Sequence, residues 1–472
     1  MAGAVDAPIA SLFHLVRSLR RATDQHRWAC TRGYKPHFSP APWKGALLSF
    51  AVMMILAAVQ CNLAAVQFRV LHSFPTNSYP QCTLVFGDDH ALYGTTQMGG
   101  DYGYGSIFRV STNGDFTNLF SFARTNGAYP YSGLLKANDG CFYGTAQNYG
   151  PYDYGTVFRI TTNGALTTLF SFSGGDGAYP KGRLIQGKNG RIYGTTSGGG
   201  SLDYGTVFQI TTNGELTTLA SLSGTNGAYP MGGLIEAQDG AFYGTAWRGG
   251  IFDGSFGCGT LYRVTTAGEF TPFYYFQGYG YAYPIGELLQ TPDGLLYGAA
   301  TGFYCVTTNG GFASLGYNVL DPLSARSGLM RGLDGALYGM DYFDVVRITT
   351  NGVVMRLWPF HNYWNGQDPR AGVVQDGYHT FFGTTAQGGS PGGGGIVFRL
   401  DLDTFFYPLT PATNGWNVMF VGLAGNTYRV LRAASAGGPW SSAAAVTTDD
   451  YGLGKWVDTS GQERAFYLLS YP

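Results

Sequence analysis

The tetrapeptide Gly-Ala-Tyr-Pro returns every 50 residues in this chain, closing at Pro130, Pro180 and Pro230, and a related Tyr-Pro closes at Pro80. Thirteen residues after each comes Tyr-Gly: Tyr93-Gly94, Tyr143-Gly144, Tyr193-Gly194, Tyr243-Gly244 and, after Pro284, Tyr297-Gly298. Two degenerate copies run from Pro322 to Tyr338-Gly339 and from Pro369 to Phe382-Gly383, which makes seven units. A repeat of this length is one supersecondary unit that cannot bury its own apolar faces and must stack on its neighbours.

The unit opening at Pro180 shows what the repeat is made of. Gly182 to Gln186 reads as a short strand, Asn189-Gly190 as a two-residue hairpin turn, and Arg191 to Thr196 as a second strand. A glycine-rich loop, Ser197 to Tyr204, leads to a third strand at Thr206 to Thr212. Asn213-Gly214 turns the chain into a fourth at Glu215 to Leu222. Four antiparallel strands per unit, with 73 glycines, 16% aromatic and 12% charged residues, predict an all-β seven-bladed β-propeller. Phe68 to Phe74 (F-R-V-L-H-S-F) matches a fourth strand but precedes the first Tyr-Pro, so it is expected to complete the last blade and remove an exposed sheet edge. Phe405 to Leu409 competes for the same place.

The sequence divides into a leader (1–65), the propeller (66–409) and a tail (410–472). Arg17 to Lys44 supply a basic region, Ala46 to Val59 an apolar run, and Ala64 and Ala65 a small-residue cleavage site, the order of a signal peptide. Export to the cell surface or beyond follows, with no membrane segment in the mature chain unless the leader stays as an anchor. Gln60 before Cys61 does not fit a lipoprotein site. In the tail, Trp416 to Gly422, Thr427 to Ala433, Lys455 to Asp458 and Arg464 to Leu469 alternate as the strands of a small β-sandwich-like module. A net charge of -1 supplies no footprint for nucleic acid. Cys82, Cys141, Cys258 and Cys305 match no zinc spacing and read as buried free thiols.

Connectivity places the Asp-Gly and Asn-Gly hairpins on one face and the Tyr-Pro connections with the Asp-Tyr-Gly loops on the other. Tyr79, Tyr129, Tyr179, Tyr229 and Tyr283, with Tyr104, Tyr154 and Tyr204, ring that second face. They either pack between blades or stack on a sugar or protein partner. Units five and six shorten the second-to-third loop, whereas unit four lengthens it from Trp247 to Gly259. That loop makes Trp247, Arg248, Phe252, Asp253 and Phe256 candidate contact residues, together with Tyr104, Tyr154 and Tyr204.

Catalytic patterns are weak. Gly388 to Gly392 matches G-x-S-x-G formally but leads to a strand rather than a helix, so no nucleophile elbow is expected. Asp153 and Asp203 satisfy backbone amides or bind calcium; no other cofactor or metal is indicated. No catalytic residue is assigned, and the chain reads as a non-enzymatic binding or scaffold protein for a glycan or protein partner. The alternatives are a propeller-type glycan hydrolase or lyase, with Glu236 and Glu287 as the acids nearest the channel, and a purely structural envelope protein.

The units, with Y-G-T-T-x-x-G-G and Y-G-T-V-F-R-I-T-T-N-G-x-L-T-T-L-F-S-F, resemble the GloVer tandem repeat of bacterial "choice-of-anchor" surface proteins from Tyr79 to Phe276 and more loosely to about Leu400. The resemblance implies an exported repeat protein without an established activity. The sequence departs from that pattern in having no apolar C-terminal helix followed by basic residues, so a sorting anchor is not expected. Kelch repeats are similar in period and in the paired glycines Gly99-Gly100 and Gly199-Gly200, but the Trp expected later in a kelch unit is absent.

Overall fold

A computed structural model describes residues 66–472 except 253–254, 278–282, 319–327, 342, 350–351, 353, 361–362, 378, 390–392, 403–404, 407–409, 422–426, 435–438, 449–452, 461–464 and 471–472. The leader therefore lies outside the described residues. Seven four-stranded antiparallel sheets follow one another, one per repeat, and the only helical elements among the described residues are two short 3-10 turns, Arg124–Asn126 and Tyr363–Asn365. This is the expected seven-bladed β-propeller. In the third blade the strands are Ile185–Gln186, Ile192–Thr196, Thr206–Ile210 and Leu216–Ser221. The first strand is shorter than its sequence suggests: residues 181–184 lie outside the ladder and run beside the axis, packing on the neighbouring blade as well as on their own second strand. There Gly182 and the carbonyl of Gly232 come so close that a Cβ on Gly182 would stand 2.5 Å from that oxygen.

The ring closes on the N-terminal strand. Val66–Ser73 pairs antiparallel with Ile396–Leu402 as the outermost strand of the seventh blade, with Phe68 opposite Leu400. Phe405–Phe406 instead pairs with Gly415–Val421 in the tail, which decides between the two candidates. The tail holds two small antiparallel sheets, one built on Gly415–Val421 and Leu453–Asp458, the other on Thr427–Ala433 between Ser441–Thr447 and Phe466–Ser470. No helix among the described residues is long and apolar enough to cross a membrane.

The Tyr-Gly signature has a physical cause. The tyrosine is buried and reaches back to the hairpin turn: Tyr143 Oη donates to Asp139 at 2.7 Å and Tyr243 Oη to Asp239 at 3.0 Å. Its ring stacks on the next blade, as in Tyr193 on Phe242 at 4.0 Å and Tyr93 on Phe142 at 4.3 Å. The glycine leaves room for the aromatic ring of the third strand; a Cβ on Gly194 would stand 2.6 Å from both Phe208 Cζ and a Leu184 methyl. Exchanging glycine for alanine in an ordinary strand relieves backbone entropy and stabilises. Here overpacking outweighs it, and Gly194→Ala should cost about 1–3 kcal/mol, read as a lower midpoint in chemical denaturation.

Hydroxyls stitch one blade to the next at the axis. Thr95 Oγ1 donates to Ser132 O at 2.9 Å, Thr195 Oγ1 to Gly232 O at 3.1 Å, and Thr245 Oγ1 to Gly286 O at 3.2 Å. Thr384 Oγ1 donates to Cys82 O at 3.0 Å and carries the pattern across the closure. The four described cysteines are free thiols; Cys82 is buried and the other three are half-buried.

Candidate functional site

Among the described residues, those ten and twelve before the Tyr-Gly aromatic come to the axis. At minus twelve stand Gln81, Tyr131, Lys181, Met231, Ile285 and Arg370; at minus ten stand Thr83, Gly133, Arg183, Gly233, Glu287, Gly328 and Gly372. Both sets line a cavity of about 90 Å³ beside the Tyr-Pro connections. Thr83, Arg183, Glu287, Gly328 and Gly372 also line a second cavity of about 200 Å³ bounded by residues 329–330 and 373–375 of the inner strands, so the minus-ten ring is the neck between the two.

Four glycines in that ring keep the neck open, and the exceptions are chemically distinct. Glu287 lies against the glycine of the preceding blade, where a Cβ on Gly233 would stand 2.8 Å from Glu287 Oε1 and 2.6 Å from Arg183 O. No hydrogen bond or ion pair to Glu287 forms among the described residues, and burial holds its carboxyl above the ordinary glutamate range, offset in part by the Arg183 charge. Arg183 Nε donates to Leu134 O at 3.2 Å, which leaves its terminal amino groups for the neck. Lys181 stands with its ammonium 5.8 Å from the Tyr131 ring centre, and desolvation lowers its pKa. Arg370 is held by Asp368 at 2.5 Å and donates to Gln81 at 3.1 Å. Glu287, Arg183, Lys181 and the Asp368-paired Arg370 therefore converge on a narrow passage, where the Arg183 guanidinium suits an anionic group.

Of the two acids expected near the channel, Glu287 is there and Glu236 is not. Glu236 Oε2 accepts a hydrogen bond from the Lys188 amide at 2.8 Å, in the hairpin of the preceding blade. Gln186 and Gln290 hold the amides of Asn138 and Gln238 in the same way, so Glu236 is one member of a repeated staple between blades. Glu236 ends the short inner strand Ile235–Glu236, whereas Glu287 lies two residues before Leu289–Gln290, an offset of seven against ten from the tyrosine. Lys181, Arg183 and Arg370 carry no motif of their own; aligning the units on Tyr-Gly exposes Arg183, as a charge in a column that is glycine in four units.

The aromatic face divides into local pairs. Tyr104, Tyr154 and Tyr204 meet Tyr129, Tyr179 and Tyr229 edge to face at 5.9 to 6.0 Å, one pair per blade connection. The Tyr-Pro tyrosines are half-buried with φ between 52° and 61°, a left-handed conformation that turns the chain inward before the proline. In the fourth blade Arg248 lies 4.4 Å over the Trp247 ring, with Tyr283 at 6.1 Å from Trp247. Phe252 and Phe256 belong to a small hairpin, Ile251–Phe252 with Ser255–Phe256, and Asp253 lies outside the described residues. Asp203 Oδ1 accepts from the Gly199 amide at 2.7 Å, a loop cap.

A ring of seven four-stranded blades closed by its first strand, with a charged neck on the axis, defines a β-propeller with an axial site. The chain belongs to the Gloeobacter/Verrucomicrobia repeat family, whose sequence profile matches residues 57–201 and 180–342. A comparison with curated proteins finds no match. Among solved structures it is similar to virginiamycin B lyase from Staphylococcus aureus, at 16% identity and a TM-score of 0.53, covering 71% of this chain and 99% of that one. It is also similar to a streptogramin B lyase at 14% identity and a TM-score of 0.52, covering 72% and 99%. At these identities the likeness is one of fold. It corrects the expectation of a non-enzyme, because the propeller frame shared with this chain is one that carries lyases, and the missing catalytic motif on which that expectation rested is no bar to catalysis on this frame.

Proposed function

We propose that the protein is an acid–base enzyme working at the axial neck, which cleaves an anionic glycan by elimination. The observation that carries the reading is the minus-ten ring, where Arg183 and Glu287 interrupt positions that are glycine in four of the seven blades. Glycosidic hydrolysis of the usual kind needs two carboxyl groups facing one bond. Glu287 is the sole carboxylic acid among the described residues that line the neck, and an elimination needs one acid and one base. Arg183 would hold the substrate carboxylate, and Lys181 in its neutral form would take the proton beside it. The freed electron pair forms the carbon–carbon double bond as the bond to the leaving oxygen breaks, and Glu287 supplies that oxygen with a proton. The basic and apolar order of residues 1–65 supports export toward such a substrate.

The test is a screen of the full chain against uronate-containing polysaccharides, following the ultraviolet absorbance of the new double bond. Turnover that Glu287→Gln and Lys181→Met each reduce at least ~100-fold is expected. A product without unsaturation, or turnover untouched by both variants, overturns the reading.

A further inference from the structure

The second blade departs from its siblings at two positions that meet in space. Where the first, third, fourth and seventh blades have Gly99, Gly199, Gly249 and Gly388 at φ between 72° and 87°, the second has Tyr149 at φ 62°. Where the third and fourth have Gly174 and Gly224, the second has Arg124. One backbone bond is kept: Gly150 N donates to Arg124 O at 2.9 Å, as Gly200 does to Gly174 and Gly250 to Gly224, although Arg124 opens a 3-10 turn where Gly174 and Gly224 have φ of 95° and 80°. Tyr149 holds a bulky side chain in a conformation the siblings reserve for glycine.

The two side chains form one surface. The Arg124 guanidinium lies 4.6 Å over the Tyr149 ring, donates to Tyr149 Oη at 3.2 Å and stands 5.6 Å from the Tyr104 ring, with no carboxylate partner among the described residues. Tyr104, Tyr129 and Tyr149 touch one another at 5.7 to 6.0 Å. Beside them is an open groove of about 470 Å³ lined by Arg124, Thr125, Tyr149, Gly150, Pro151 and Asp153. Asp153 is the counterpart of the loop cap Asp203 but makes no such bond, so its exposed carboxylate is available to a ligand.

We infer that this groove is a carbohydrate-binding subsite for a hexopyranose residue carrying vicinal hydroxyls. A sugar ring has an apolar face for the tyrosine wall, hydroxyl oxygens that accept from a guanidinium, and hydroxyl hydrogens that a carboxylate accepts. The Arg124–Asp153 pair supplies both polarities at one rim, which favours a hydroxyl-bearing sugar over a simple anion. The subsite stands apart from the axial chemistry and does not depend on it.

The test uses the full chain and calorimetric titration with hexasaccharides of glucose, mannose and galactose as probes. Saturable binding of at least one probe is expected, weakened about tenfold or more by Tyr149→Gly and by Arg124→Gly. Tyr149→Gly restores the glycine of the sibling blades at a positive φ, so its melting temperature should hold or rise, and Glu287→Gln should leave the affinity unchanged. Absence of binding to all three probes, or binding that survives both variants at full strength, overturns the subsite; loss of binding in Glu287→Gln would move the sugar site to the axis and overturn it equally.

Discussion

Deleting residues 66–73 should abolish cooperative unfolding of the propeller and leave the chain prone to aggregation. The strand forms the outer edge of the seventh blade with seven paired residues, and Val66, Phe68 and Val70 pack on the core shared by blades six and seven. The Phe68 ring stacks on Trp358 at 4.6 Å and lies 5.6 Å from Phe398. Half-burial of three apolar side chains and the strand's ladder together contribute roughly 5 kcal/mol, as much as the whole stability of many domains. Without it, Ile396–Leu402 becomes an unpaired edge, the kind of template on which other chains add. Thermal melts and size-exclusion profiles of the deletion against the parent check this. A second variant, Phe68→Ala, keeps the ladder and should lower stability by about 2 kcal/mol with cooperativity retained. A deletion that melts sharply near the parent temperature would mean that another segment can take the strand's place.

Glu287→Gln is expected to have opposite effects on activity and on stability. Loss of the proton donor should slow turnover by about 10²–10⁴-fold. The same change should raise the melting temperature at neutral pH. In the folded chain the carboxyl holds its proton to higher pH than in the unfolded chain, so its contribution is fully present below the ordinary glutamate range and is lost as pH rises through the raised value. Glutamine cannot ionise and escapes that loss. The difference between variant and parent should therefore be widest near neutral pH and vanish in acid, and melts followed from acid to neutral pH will show it. A glutamine variant less stable than the parent at every pH would make Glu287 a structural group.

The frame was legible because its determinants are local and repeat. The prolines, the Tyr-Gly pairs and the hairpin turns each set a backbone feature within a few residues, and seven copies average out the weak ones, including Phe382-Gly383, where phenylalanine replaces the tyrosine. The site was not legible in the same way. In the sequence Glu287 reads as an acid near a first strand, but Glu236 reads the same way and is a staple between hairpins. Tyr149 and Arg124 are silent in the sequence, because a single tyrosine in a tyrosine-rich loop carries no signal until its glycine counterparts are superposed on it.

The repeat in the sequence was sufficient for the strand order within each blade, the number of blades and the face on which the tyrosines gather. Only the tertiary structure decided which strand closes the ring and which charges meet. Closure depends on pairing between residues more than 300 positions apart, such as Val66 with Leu402, where two segments of similar apolarity compete and geometry selects one. The neck depends on convergence: Arg183 and Glu287 lie two repeats apart in sequence and come near each other only because blades arranged around an axis bring their inner edges into a small circle.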